Sequence, residues 1–143
     1  MDPLSGLALL LVVVGWGVVN SQHNKRESRK EARAAADRAK ALISGVARAS
    51  ADYMAKPDPT KANAIKLDLE LAELELEVFP NFKVKGNPLM GRLVDFQDAV
   101  TGGDFESGAA KEKLTDSPEA ARVRITLTAL MAEIEKQFRA YFK

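Results

Sequence analysis

The stretch KLDLELAELELEVF, residues 66–79, alternates apolar and charged side chains as a half-buried strand does. Its residue types point the other way. Leucine, glutamate and alanine are good helix formers, strands are depleted in glutamate and alanine, and Val78 is the segment's single β-branched residue. Just upstream, Asp58 followed by Pro59 is a helix start: a capping carboxylate, then a proline already set for the first helical turn. The sequence therefore predicts a helix from residue 59 through residue 79.

At about 100° per residue, Ile65, Leu69, Ala72, Leu76 and Phe79 fall within about 40° of one direction, whereas Leu67, Leu71, Leu74 and Val78 gather on nearly the opposite side. Glu70, Glu73 and Glu77 fill one gap between the two groups, and Asp68 and Glu75 fill the other. The apparent alternation is thus two apolar stripes on one helix. One stripe suffices for a helix at the edge of a bundle. The second stripe, Leu67, Leu71, Leu74 and Val78, must meet either another helix of the same chain or another molecule, a second copy or a different partner.

Other helices can be read on both sides of this one. Residues 25–54 are rich in Ala, Arg, Lys and Glu, with a stripe of Ala32, Ala36, Ala39, Ile43, Val46 and Tyr53 at steps of three, four or seven. Alanine in the first half of that stripe would let a neighbouring helix approach closely. Lys56 and Asp58 each precede a proline, which disfavours helical backbone and breaks the chain there. Beyond the connector FPNFKVKGN, Asn87 and Pro88 repeat the cap-and-proline start, and Leu89, Leu93, Phe96 and Val100 form a stripe closed by Gly102 and Gly103. Residues 104–116 have little apolar content and read as loop. Ser117 and Pro118 open a last helix with the stripe Val123, Leu127, Leu130, Ile134, Phe138 and Tyr141.

The N-terminus is of another kind. Residues 4–19, LSGLALLLVVVGWGVV, contain no charge, and as a helix they cover about 24 Å, to which the flanking polar residues add headgroup-level reach across a hydrocarbon core of about 30 Å. Asp2 and Pro3 suit a helix start, and Trp16 sits where an interfacial aromatic is favoured. A cleaved signal would need a basic leading segment, which is missing, and a core helix would need a polar face, which the run lacks. The fold expected is all-α: an N-terminal single-pass transmembrane helix with a polar joint (residues 1–24), then a small antiparallel bundle of about four helices (residues 25–143).

Charge orients the anchor. Lys25, Arg26, Arg29, Lys30 and Arg33 all follow the run and no cation precedes it, so the N-terminus is expected outside and the helical domain in the cytoplasm, as at a bacterial inner membrane. An uncleaved anchor of opposite orientation, holding a periplasmic domain, is the rival. The same cluster would attract anionic headgroups at about 1 kcal/mol per basic residue. Residues 20–56 hold nine Lys/Arg against four Asp/Glu, and 57–79 hold two against six, so the first two helices of the bundle are expected to pair as a hairpin of complementary charge.

Catalytic material is scarce. With no cysteine and His23 as the only histidine, thiolate metal sites, thiol nucleophiles and His-based triads lack their parts. Glu70, Glu73 and Glu77 share a face but lack the Glu-x-x-His partner motifs of helix-bundle metal sites, and TGGDFESG lacks the lysine and strand of a phosphate loop. No basic patch with interleaved aromatics points to nucleic acid. Gly6, Gly15 and Gly17 give the anchor small residues without the G-x-x-x-G spacing. The expectation is a non-enzymatic, cofactor-free interaction module at the inner face of a membrane. Its rival is a small membrane effector whose span oligomerises to perturb the bilayer, with the helical domain as regulator.

Overall fold

Three of the four helices begin with the same device, a polar side chain one residue before a proline. Asp58 Oδ1 accepts a hydrogen bond from Thr60 N at 2.8 Å, Asn87 Oδ1 from Leu89 N at 2.8 Å, and Ser117 Oγ from Ala120 N at 3.2 Å. Each cap satisfies a backbone N–H that has no partner within its helix, and each proline occupies a position that needs no such donor. The computed structural model describes residues 3–102 and 117–142, with side chains for 12–14, 16 and 18 onward within that range. Its elements are α1 (Pro3–Ala55), α2 (Pro59–Leu76), α3 (Pro88–Thr101) and α4 (Pro118–Tyr141). The described residues are all-helical outside short connections.

The chain divides into two compact units, Met1–Glu31 and Ala32–Lys143. In the first unit α1 runs without interruption through the polar joint at residues 20–24. From 18 to 44 the sequence has no proline or glycine to stop a helix, and polar interior residues such as Asn20 and Asn24 each cost only about 0.7 kcal/mol against alanine. Among the described residues no helix is long and apolar enough to cross a membrane. Most of the run expected to span, residues 4–11 with 15 and 17, lies outside the described side chains.

In the second unit the predicted stripes become one core. Ala32, Ala36, Ala39, Ile43, Val46 and Tyr53 of α1 are buried, with Ser50 filling the gap between the last two. They share the core with Ile65, Leu69, Ala72 and Leu76 of α2, Leu89, Leu93, Phe96 and Val100 of α3, and Val123, Leu130, Ile134 and Phe138 of α4. The C-terminal part of α1 and α2 to α4 therefore make the four-helix bundle. A three-residue break joins α1 to α2, and the pair Arg38 Nε to Glu75 Oε1 at 2.9 Å sets the beginning of the bundle part of α1 beside the end of α2. Gln137 Nε2 of α4 donates to Asn87 Oδ1 at the start of α3, at 3.1 Å. Both pairs of helices are antiparallel, as short connections favour.

α2 is three residues shorter than expected. Glu77 N, Val78 N and Phe79 N bond back only three residues, to Leu74, Glu75 and Leu76, so the chain tightens before Pro80, which excludes further helix. The connector then buries Phe79 and Phe82, with Gly86 at φ 86° supplying the left-handed residue before the Asn87 cap. Phe142, beyond α4, stacks on Phe138 with centroids 5.6 Å apart and meets Phe79 edge-on at 6.0 Å. Tyr141, predicted as the end of the α4 stripe, is exposed instead.

Gly102 closes α3 in extended rather than left-handed backbone, with φ −76° and ψ 173°. Its glycine is set by close approach: a Cβ there would lie 2.5 Å from the carbonyl oxygen of Asp98. Gly102→Ala should therefore unwind the last turn of α3 and lower stability by at least about 1 kcal/mol, read as a reduced melting temperature. Gly45→Ala, where an added methyl meets nothing within 4 Å, is the control and should leave melting unchanged or raise it. Gly103 and the expected loop at 104–116 lie outside the described residues.

Candidate functional site

Of the five cations read as a membrane-interface cluster, four behave alike and one does not. Lys25, Arg26, Arg29 and Lys30 are exposed on α1, and Lys30 Nζ lies 3.4 Å from Glu27 Oε1, one turn away. Helical spacing puts Arg26, Arg29 and Lys30 on one side, so their charges add within a single surface patch. Arg33 belongs elsewhere. Its Nη1 is 2.7 Å from Glu135 Oε1 of α4 and 3.7 Å from Asp37, and its guanidinium lies 3.8 Å above the centre of the Phe138 ring. Lys40 reaches the same Glu135 oxygen. Glu135 thus ties two positions of α1, two helical turns apart, to α4, and Arg33 works inside the bundle.

The expected hairpin of opposite charge has such a pair, and other α1 cations turn to α4. Arg38 of α1 meets the acidic α2 at Glu75, while Arg33 and Lys40 take an α4 carboxylate as partner. Glu77 pairs with Lys83 of the connector at 2.6 Å. Hydrogen bonds to carboxylates hold three cations above their ordinary pKa: Glu135 raises Arg33, Glu75 raises Arg38 and Glu77 raises Lys83. Glu135 is held at about 2, chiefly by the hydrogen bond from Arg33 and then by that from Lys40.

On α2 the two stripes separate cleanly. Ile65, Leu69, Ala72 and Leu76 are core, whereas Leu67, Leu71 and Leu74 are 56%, 41% and 61% exposed. The fourth stripe residue, Val78, is half-buried against the core. The helical wheel assigns Val78 to the outer face only if α2 continues at 3.6 residues per turn; the three-residue bonds beyond Leu76 rotate it inward. Surface leucines are ordinary singly, but three in successive turns on one face form an apolar strip. Beside it, Asp68 and Glu75 edge one side and Glu70 and Glu77 the other.

The remaining sequence candidates are scattered. His23 is exposed on α1, and Glu70, Glu73 and Glu77 lie along the α2 surface. Among the described residues no three His, Cys, Asp or Glu side chains converge as a metal site. A shallow, open depression lies over the connector, lined by Glu77, Phe79, Asn81, Phe82, Lys83 and Val84. Sequence reasoning missed Phe82 as a core member, Phe142 as a half-buried residue packed against the core, and Glu135 as the meeting point of two cations. Phe82 and Glu135 carried no periodic apolar signal, and Phe142, four residues after Phe138, competed with Tyr141 for the end of the α4 stripe. Compared with protein families, curated proteins and solved structures, the chain matches none.

Proposed function

We propose that the chain is a membrane-tethered, non-enzymatic interaction module whose helical bundle binds a partner, or a second copy, at the inner face of a membrane. One observation carries the tether: Val12, Val13, Val14, Trp16, Val18 and Val19 of α1 are each more than half exposed. At about 100° per residue these side chains point to every side of the helix, which a one-sided partner could not cover and a lipid environment can. The uncharged sequence of residues 4–19 gives the segment its length. Lys25, Arg26, Arg29 and Lys30, exposed and basic, then lie at the headgroup level, hold the domain on the cytoplasmic side and attract anionic lipid. The exposed leucines of α2 supply the binding face.

Two measurements test this reading. Full-length protein should stay with the membrane pellet through an alkaline carbonate wash, while a 25–143 fragment should be released; full-length protein in the supernatant would overturn the tether. Tyr141→Cys introduces a single thiol into a chain without cysteine, at an exposed position. That thiol should resist a membrane-impermeant maleimide in intact cells and react after lysis. Labelling of intact cells would place the bundle on the opposite side.

A further inference from the structure

The outer face of α2 has the pattern of a coiled-coil seam. Ala64, Leu67, Leu71 and Leu74 fall on successive a and d positions of a heptad, and all are exposed. In the same frame the core residues Ile65, Leu69, Ala72 and Leu76 take b and f, so the seam faces away from the bundle. The e and g positions beside the leucines are Asp68, Glu70, Glu75 and Glu77, all carboxylates. That rim decides what can sit on the seam.

A second copy of α2 does not fit it. Parallel pairing sets each g against a partner e, and antiparallel pairing sets g against g and e against e; in both, carboxylates meet carboxylates beside Leu67, Leu71 and Leu74, with Lys61 at e and Asn63 at g flanking only the Ala64 end. Arg38 at Glu75 and Lys83 at Glu77 offset one charge on each side, and both cations are more than half exposed. Asp68 and Glu70 still leave each rim acidic beside Leu67 and Leu71. We propose that this seam docks an amphipathic helix of a partner protein that carries apolar residues at its own a and d positions and lysine or arginine at e and g. The proposal rests on the interaction-module reading and gives its partner a chemical class. About two heptads are available before α2 ends at Leu76, so the contact is short and depends on both leucine burial and rim charge.

The test uses full-length protein in zwitterionic nanodiscs, with protein-free nanodiscs as blank, and peptides of about three heptads bearing Leu at a and d and either Lys or Glu at e and g. The Lys peptide should bind, more weakly as salt rises, and the Glu peptide should not. Leu71→Gln with Leu74→Gln should lower affinity at least about tenfold while melting is unchanged. A charge-swapped chain, Asp68→Lys with Glu70→Lys, should prefer the Glu peptide, a reversal that misfolding cannot produce. Equal binding of the two peptides, or failure of the swap to transfer preference, overturns the proposal. If neither peptide binds but the protein is oligomeric until Leu71→Gln and Leu74→Gln make it monomeric, the seam's occupant is a second copy. The partner class then fails and the interaction module stands. If neither peptide binds and no oligomer forms, both the partner class and the α2 binding face fall.

Discussion

Leu69→Glu with Leu76→Glu is expected to unfold the helical domain, whereas Leu71→Glu with Leu74→Glu, on the same helix, should leave its melting almost unchanged. Leu69 and Leu76 are 4% and 0% exposed in the centre of the bundle. Placing a carboxylate at either removes about 2 to 5 kcal/mol of apolar packing and adds the cost of burying an unpaired charge. Two such changes exceed the about 5 to 15 kcal/mol that holds a domain of this size together. Leu71 and Leu74 lie in water at 41% and 61% exposure, so glutamate there displaces little packing. Each new charge joins neighbours of like sign, a surface penalty of about 0.5 kcal/mol at most. The measurement is thermal melting by circular dichroism on a 25–143 fragment, with the wild-type fragment melting cooperatively as the reference. Loss of cooperativity in the outer-face pair would mean that the exposed stripe is covered by the chain's own residues. A wild-type fragment that melts without cooperativity would mean that residues 1–24 take part in the domain.

The contrast between those two pairs was half legible in sequence. A wheel divides α2 into two apolar sides, and the side carrying Ile65, Leu69, Ala72, Leu76 and Phe79 is the side the bundle buries. Periodicity cannot say whether the other side is also covered, because that depends on where α1, α3 and α4 come to lie. The stripes of α1 and α3 were readable for a simpler reason: each has one apolar side and one clear end, set by a proline or glycine. The three cap-and-proline starts were readable because their hydrogen bonds run only two or three residues along the chain. What sequence hides is contact between distant residues. Arg33 shares a face and a charge with Lys30, yet its neighbour Phe138 and partner Glu135 come from the far end of the chain. Phe82 lies outside any periodic run and is held by the way the connector folds over the core, while Phe142, beyond the end of α4, stacks on Phe138. The polar joint at residues 20–24 lies inside α1, since polarity alone does not stop a helix and no proline or glycine is present there.

Acidification should weaken the bundle through Glu135, and Glu135→Gln should remove most of that sensitivity. In the folded chain the carboxyl is held at about 2 by hydrogen bonds from Arg33 and Lys40. In the unfolded chain a glutamate titrates near about 4.3. A folded value below the unfolded one means that the group stabilises the fold above the unfolded value, and that the stabilisation is lost as pH falls from about 4.5 towards 2. The side chain keeps 29% of its surface in water, so solvent screening reduces the gain to about 1 to 2 kcal/mol. Glu135→Gln should therefore be less stable than wild type by about that amount at neutral pH, and the two should converge only below about pH 2. Other carboxylates titrate in both proteins, so the difference between the two denaturation curves isolates this group. Glu135→Ala should cost more, because Arg33 and Lys40 are then left side by side without a common anion, and Arg33 also loses the contact that holds it over Phe138. Arg33→Met separates the terms: it keeps an apolar stem over the Phe138 ring and deletes the charge. If Glu135 stabilises chiefly through Arg33, the strongest of its contacts, Arg33→Met should abolish more of the pH-dependent difference than Lys40→Met does. Equal pH profiles for wild type and Glu135→Gln would show that the contact between α1 and α4 rests on apolar packing alone.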